Sequence, residues 1–281
     1  MLAQSPERGE WWAAVKQLGG IAASDHRLRD NIWAEAFVNT LGMRFVRVEP
    51  GVFTMGPDTH NPFNVRPAHL VEITQPFFVS VTEVTNFQYS QVFPEHRVDA
   101  EYSPDPDGPA VNVTWKDADK FCKRLSEREG ITYELPTEAQ WEYACRAGTN
   151  TRFSFGSNPD RLPEFAWYNY ANARASPVAM LQPNPWGIYD MHGNAWEWTS
   201  DWFSDAYYSE CAAIATVKDP KGPPSGRTHV LRGGGWQVRE ASNFSLTSTF
   251  RMPLPLLDRD PFDPDPVGLR RTIGCRVIRI P

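Results

Sequence analysis

A chain of 281 residues is long enough to bury a sizeable core, as one large domain or two small ones. Its net charge of -6, with no block of Lys or Arg, excludes a surface that tracks nucleic-acid phosphates, and no run of about 18 apolar residues offers a membrane span. Eleven Trp, sixteen Phe and nine Tyr beside 25 Pro and 19 Gly predict an aromatic core held by turns and irregular loops, with little regular secondary structure.

Ser5-Pro6-Glu7 supplies an N-cap, a first-turn proline and early acid, which predicts a helix running through Trp11, Trp12, Val15 and Leu18 to Gly19-Gly20. A second helix is predicted from about Asp25 to Leu41, with Ile32, Trp33, Ala36 and Phe37 on one face. Residues 1–40 therefore read as a helical extension, separable at Leu41-Gly42 from a domain over 41–281. It would serve as a decoration, or as an oligomer or assembly contact. The first residues lack the basic and apolar parts of a signal peptide, so a start at Met1 predicts a cytoplasmic protein. A periplasmic or secreted chain trimmed of its leader would read the same.

From Met43 the pattern shifts to short alternating runs that predict strands at Phe45–Val48, Gly51–Gly56, His69–Thr74 and Phe77–Val81. Thr85 caps a helix through Tyr89 and Val92, and a Pro/Asp loop covers Ser103 to Pro109. The most regular helix is predicted over Lys116–Glu129, with Gly130 just past its end. Thr137-Glu138-Ala139-Gln140 is a capping box that opens a helix through Trp141 to Gly148. Further strands are predicted at Thr228–Arg232, around Ser245–Arg251 and at Gly274–Ile280. Strands interrupted by separated helices and long loops define an α+β class. Cys122, Cys145, Cys211 and Cys275 form no CxxC and read as reduced, mostly buried thiols, with one disulfide left open.

The densest stretch is Asn184–Thr199, where Trp186, Tyr189, Trp196 and Trp198 sit among turn-forming Asn and Gly. It reads as a compact aromatic knot. Asp190 and Glu197 flank a Gly-containing turn, an arrangement that lets two carboxylates and backbone carbonyls converge on a hard cation. Without an EF-hand pattern, the spacing alone favours the plainer alternative, a tight turn whose carboxylates cap backbone N–H groups or face solvent.

Taken in order, Gly51–Gly56, Thr82–Asn86, Pro109–Trp115, Leu135–Ala144, the knot, Leu231–Trp236 and Gly274–Val277 resemble the formylglycine-generating-enzyme-like, or sulfatase-modifying-factor, superfamily. The resemblance covers about Leu41 to Pro281 and implies a variant of the C-type lectin fold. It also implies a calcium ion held by the side chain of Asp190, the carbonyls of Gly193 and Ala195, and the carboxylate of Glu197. The catalytic part departs from the family. The two cysteines that bind copper(I) in formylglycine generators fall at Val238 and Asn243, and the motif serine is Gly235, so that activity is expected to be absent. His26, His60, His69, His96, His192 and His229 form no HxxxH or HxE cluster, so the His-rich iron motif of sulfoxide-forming relatives is missing too.

In this fold the segment from Trp236 onward faces ligand. Arg239, Glu240 and Arg251 would form a polar binding site over an apolar floor of Trp236 and Phe244; Arg251 has the alternative of pairing with buried carboxylates. Asp258, Asp260, Asp263 and Asp265 make an acidic, proline-stiffened loop. The reading that joins these features is a calcium-stabilised accessory protein that binds a peptide, a protein or a small molecule. Its alternatives are an oxygen-dependent oxidase with a redox metal, and a structural subunit docked through the N-terminal helices.

Overall fold

The alternating apolar runs after Leu41 pair as strands because each has one face to bury. The structure, a computed structural model, describes residues 36–57, 66–169, 174–238, 245–253 and 269–281. Strands β1 (Phe37–Val38), β2 (Arg44–Val48), β5 (Phe77–Ser80), β12 (Ile278–Arg279) and β6 (Tyr133–Glu134) lie in the order β1-β2-β5-β12-β6, every pair antiparallel. A second sheet joins β10 (Met252–Pro253), β9 (His229–Arg232), β7 (Trp196–Trp202) and β11 (Ile273–Gly274). A third joins β3 (Gly51–Met55), β4 (His69–Ile73) and β8 (Val217–Lys218). Phe45 and Val46 are consecutive on β2, so they point to opposite faces, and they fall in different apolar clusters. The five-stranded sheet thus divides the core in two.

Three helices start where local chemistry says they should. Helices α1 (Asn86–Val92), α2 (Trp115–Glu129) and α3 (Glu138–Arg146) each begin with a complete capping box, on Thr85, Thr114 and Thr137. Gly130 ends α2 in the left-handed conformation. Two short helices, α4 (Leu162–Phe165) and α5 (Tyr207–Ala212), complete the described set. Helix α3 buries Trp141, Glu142, Cys145 and Arg146, which brings both charge and bulk into the centre.

Three expectations are corrected. Phe37 and Val38, placed at the end of a helix by their spacing, form an edge strand in which Phe37 stacks on Phe45 at 4.8 Å; the rest of that helix and the first one lie outside the described residues. Ser245–Arg251 is not a strand: the guanidinium of Arg232 donates to the carbonyls of Ser248, Thr249 and Phe250, so the segment wraps around a cation instead of joining a ladder. The run Gly274–Ile280 is split into β11 and β12, because it crosses from one sheet to another while Arg276 turns inward. The knot is irregular up to Ala195 and becomes β7 from Trp196.

Replacing Thr137 with Ala removes the hydroxyl that accepts from the Gln140 N–H and leaves the reciprocal bond from the Thr137 N–H to the Gln140 side chain in place. The expected loss is about 1 kcal/mol in urea unfolding, with an unchanged slope.

Candidate functional site

The knot places its residues through backbone conformations that few residue types accept. Asp190 and Asn194 lie at φ of 59° and 61°, and Gly193 at 146°, where an added Cβ would sit 2.6 Å from the Trp167 carbonyl. The sequence Asp-x-x-Gly-Asn is therefore what this turn requires. Asn194 then ties the turn to its surroundings: its N–H donates to Trp167, its carbonyl accepts from Trp236 and its side-chain oxygen accepts from Ser176.

Glu197 is fully buried and holds Arg276 in a fork, with Nε 2.6 Å from Oε2 and Nη2 2.7 Å from Oε1. Trp141 Nε1 also donates to Oε2 at 2.6 Å. Asp190 accepts from the Ala179 N–H at 2.8 Å. A third carboxylate, Glu83, joins them from the turn after β5: its Oε1 accepts from the Ala195 N–H at 3.2 Å. Burial, with Asp190 and Glu197 adding repulsion, holds the Glu83 carboxyl well above the usual range. Burial likewise raises Asp190 to about 6. The structure thus brings the four residues of the expected calcium set into one turn and strand, and adds two groups that the sequence reading did not assign to it. Both carried a signal, since Glu83 and Arg276 are charges set inside the apolar runs Val81–Val84 and Ile273–Ile278.

A second buried network lies on α3 and β9. Arg232 contacts both Glu142 and Glu138, Arg146 pairs with Glu142 at 2.9 Å, and Arg251 Nε lies 2.8 Å from Glu138. Burial opposes charge on Glu142, yet Arg146 and Arg232 hold its carboxyl below the usual range. Burial and the neighbouring Glu138 push Asp201 up to about 7.

The four cysteines are free and buried. Cys145 Sγ lies 3.9 Å from His192 Nε2, but burial pushes the thiol up to about 12 and the imidazole down to about 4. His192 sits between the Leu246 carbonyl and Ser154, each 2.8 Å away, which makes it a neutral core hydrogen-bonder. Such a pair generates no thiolate at neutral pH. Among the described residues, no three His, Cys, Asp or Glu side chains converge to hold a metal by themselves.

Of the residues expected to face ligand, Arg239, Glu240, Phe244 and Asn243 lie outside the described residues. Trp236 is buried and stacks on Tyr102 at 5.5 Å, with Arg271 over the same tyrosine ring at 5.1 Å. Arg251 is fully buried against Phe203, Tyr208 and Glu138, so its neighbours differ from those of Trp236. Val238 is buried in the apolar core.

Comparison with known proteins agrees with this arrangement. The sulfatase-modifying factor enzyme 1-like domain matches residues 34–272. The formylglycine-generating enzyme of Streptomyces coelicolor is 35% identical over 149 residues, 48% of this chain and 44% of that protein. The chain therefore spans less than half the length of that relative. The chaperone protein LppX of Paenibacillus barcinonensis is 26% identical over 85% of this chain and 90% of its own length. Among solved structures, Treponema denticola variable protein 1 superimposes with a TM-score of 0.73 at 24% identity, covering 88% of this chain and 99% of that one.

Two outcomes test the buried charges. Arg276→Met leaves Glu197 buried without its partner and is expected to cost ~3–5 kcal/mol in urea unfolding. Asp201 favours its protonated form when folded, so its contribution is complete below its ordinary value of 3.8 and is lost as pH rises through about 7. In calcium-containing buffer the melting temperature should fall between pH 5 and pH 8, and Asp201→Asn should flatten that fall.

Proposed function

The chain belongs to the sulfatase-modifying factor enzyme 1-like family, and from that membership we propose a calcium-stabilised accessory protein that binds a protein, a peptide or a small molecule and does not itself generate formylglycine. The observation that carries the second half of this reading is Val238. By the resemblance of the sequence it takes the place of a copper-binding cysteine, and it is a buried aliphatic side chain in the apolar core. A valine offers neither a metal ligand nor a thiolate. The remaining thiols are buried, and burial raises all four. The similarity to the chaperone LppX over most of both chains supports an accessory role.

Calcium is assigned to Asp190, the carbonyls of Gly193 and Ala195, and Glu197. The donor set fits that ion, because every donor is a hard oxygen and two are carboxylates. It also fits in charge: Glu83 Oε2 is buried with no hydrogen-bond partner, and burial, with repulsion from neighbouring carboxylates added, raises Glu83 and Asp190. Bound there, a divalent cation supplies positive charge to an interior that is short of it. The scaffold is read as the lectin-like variant of this family, with loops held on a rigid frame to meet a ligand. Trp236 and Tyr102 offer a stacked aromatic pair, and Arg239, Glu240 and Phe244 follow Trp236 in the sequence; Arg251 takes the other course open to it and pairs with the buried Glu138.

Chelation is expected to lower the unfolding midpoint by several degrees, since a site loaded at 100 times its dissociation constant adds ~2.7 kcal/mol. An unchanged midpoint in EGTA would remove calcium from the account. Incubation with copper(I), oxygen and a cysteine-containing peptide should yield no aldehyde, whereas aldehyde formation would restore the family's enzymatic activity.

A further inference from the structure

One pair of buried polar atoms has no part in the cation site or in the charge network on α3 and β9. Both border the space beside the α-carbon of Gly235, where an added Cβ would overlap Gln237 Oε1 and lie 2.9 Å from Trp196 Cδ1 and 3.2 Å from Trp196 Nε1. Three segments of the chain meet there: Trp196 opens β7, Gly235 and Gln237 follow β9, and Thr272 precedes β11.

Neither atom is satisfied. Trp196 is 3% exposed, and its indole N–H is buried without a hydrogen-bond partner. Gln237 donates from Nε2 to Thr272 Oγ1 at 3.1 Å, which turns its Oε1 toward Gly235, where that oxygen accepts no bond. Trp236, the residue between Gly235 and Gln237, is also buried with an unpaired indole N–H. A donor and an acceptor thus border the same spot without bonding each other. Buried polar groups in this state are normally answered by water or a ligand, and the pairing limits which ligand fits. A carboxylate or carbonyl would accept from the indole but set its lone pairs against those of Gln237. An ammonium would donate to Gln237 and oppose the indole N–H, and an apolar group would leave both unpaired. A hydroxyl accepts and donates through a single oxygen, so one atom can answer both.

We propose that Trp196 Nε1 and Gln237 Oε1 form a subsite for an uncharged hydroxyl group of the ligand, which accepts from the indole and donates to the side-chain amide. This rests on the binding reading above and deepens it by naming the chemistry that is selected. Gln237 sets the specificity: the indole alone would take any acceptor, whereas the amide oxygen beside it rejects anions. Gln237 is half-buried, so a ligand reaches Trp196 past its side chain. A hydroxyl of this kind is carried by a Ser or Thr side chain of a peptide or by a sugar.

The probes are N-acetylserinamide, N-acetylalaninamide, which lacks only the hydroxyl, and methyl β-glucoside, with the indole Nε1–H magnetic resonance of Trp196 in the full chain as the readout. N-acetylserinamide, the glucoside or both should shift that resonance saturably, and the probe that does so identifies the source of the hydroxyl; N-acetylalaninamide should leave it in place. In Gln237→Met, which keeps the length of the side chain and removes the acceptor, the affinity of the active probe should fall roughly tenfold. A Trp196 resonance unmoved by both hydroxyl probes, an equal shift with N-acetylalaninamide, or native affinity in Gln237→Met would overturn the proposal. If Gln237→Met does not fold, the comparison of N-acetylserinamide with N-acetylalaninamide on the native chain decides alone. Saturable shifts confined to residues away from Gly235 would overturn this subsite and keep the binding reading, whereas a spectrum unmoved throughout would tell against both.

Discussion

The need to match buried charge governs this structure more than any other constraint. Arg232, Arg251 and Arg276 are among the largest fully buried side chains, and each is held by carboxylates from elements far away in sequence. Arg232 joins β9 to α3 and gathers the carbonyls of 248–250, while Arg276 joins the last segment to β7 and donates to the Ser80 and Tyr189 carbonyls. Such pairs add little net stability over apolar packing, but breaking one strands a charge in the interior. They act as cross-links that admit one arrangement of three small sheets. Without them, strands of two to seven residues have few ladder bonds to fix their order.

The parts legible in the sequence are those determined by neighbours along the chain. The capping boxes on Thr85, Thr114 and Thr137 and the stop at Gly130 are local devices, and the helices follow them closely. The runs of β2 to β5 alternate because each strand has one face to bury. Failure came where a distant group decides. Ser245–Arg251 has strand-like composition, yet the guanidinium of Arg232 takes its carbonyls. Phe37 has helical spacing, yet a stack with Phe45 draws it onto the sheet edge. The knot was legible through its turn formers, because Asp190, Gly193 and Asn194 must adopt left-handed backbone. Its charge environment was not, since Glu83 and Arg276 arrive from segments more than 75 residues away.

Membership of the family fixes the scaffold and leaves the function to the residues placed on it. The knot gathers carboxylates and backbone oxygens in one turn and strand, and Val238 is an aliphatic residue in the core. The cysteines that remain lie in apolar surroundings that raise their thiols, as expected for packing residues. A binding role is compatible with every one of these features, because it asks of the scaffold rigidity and of the loops variety.

The central claim is that this chain carries a hard cation at the knot and no redox metal at the position of Val238. Elemental analysis of the purified, untagged protein by plasma mass spectrometry, covering calcium, copper, iron, manganese and zinc together, tests it most directly. The account predicts near-stoichiometric calcium with copper and iron at background. Calcium at background, or copper or iron approaching one per chain, would contradict it and return the chain to the oxidases.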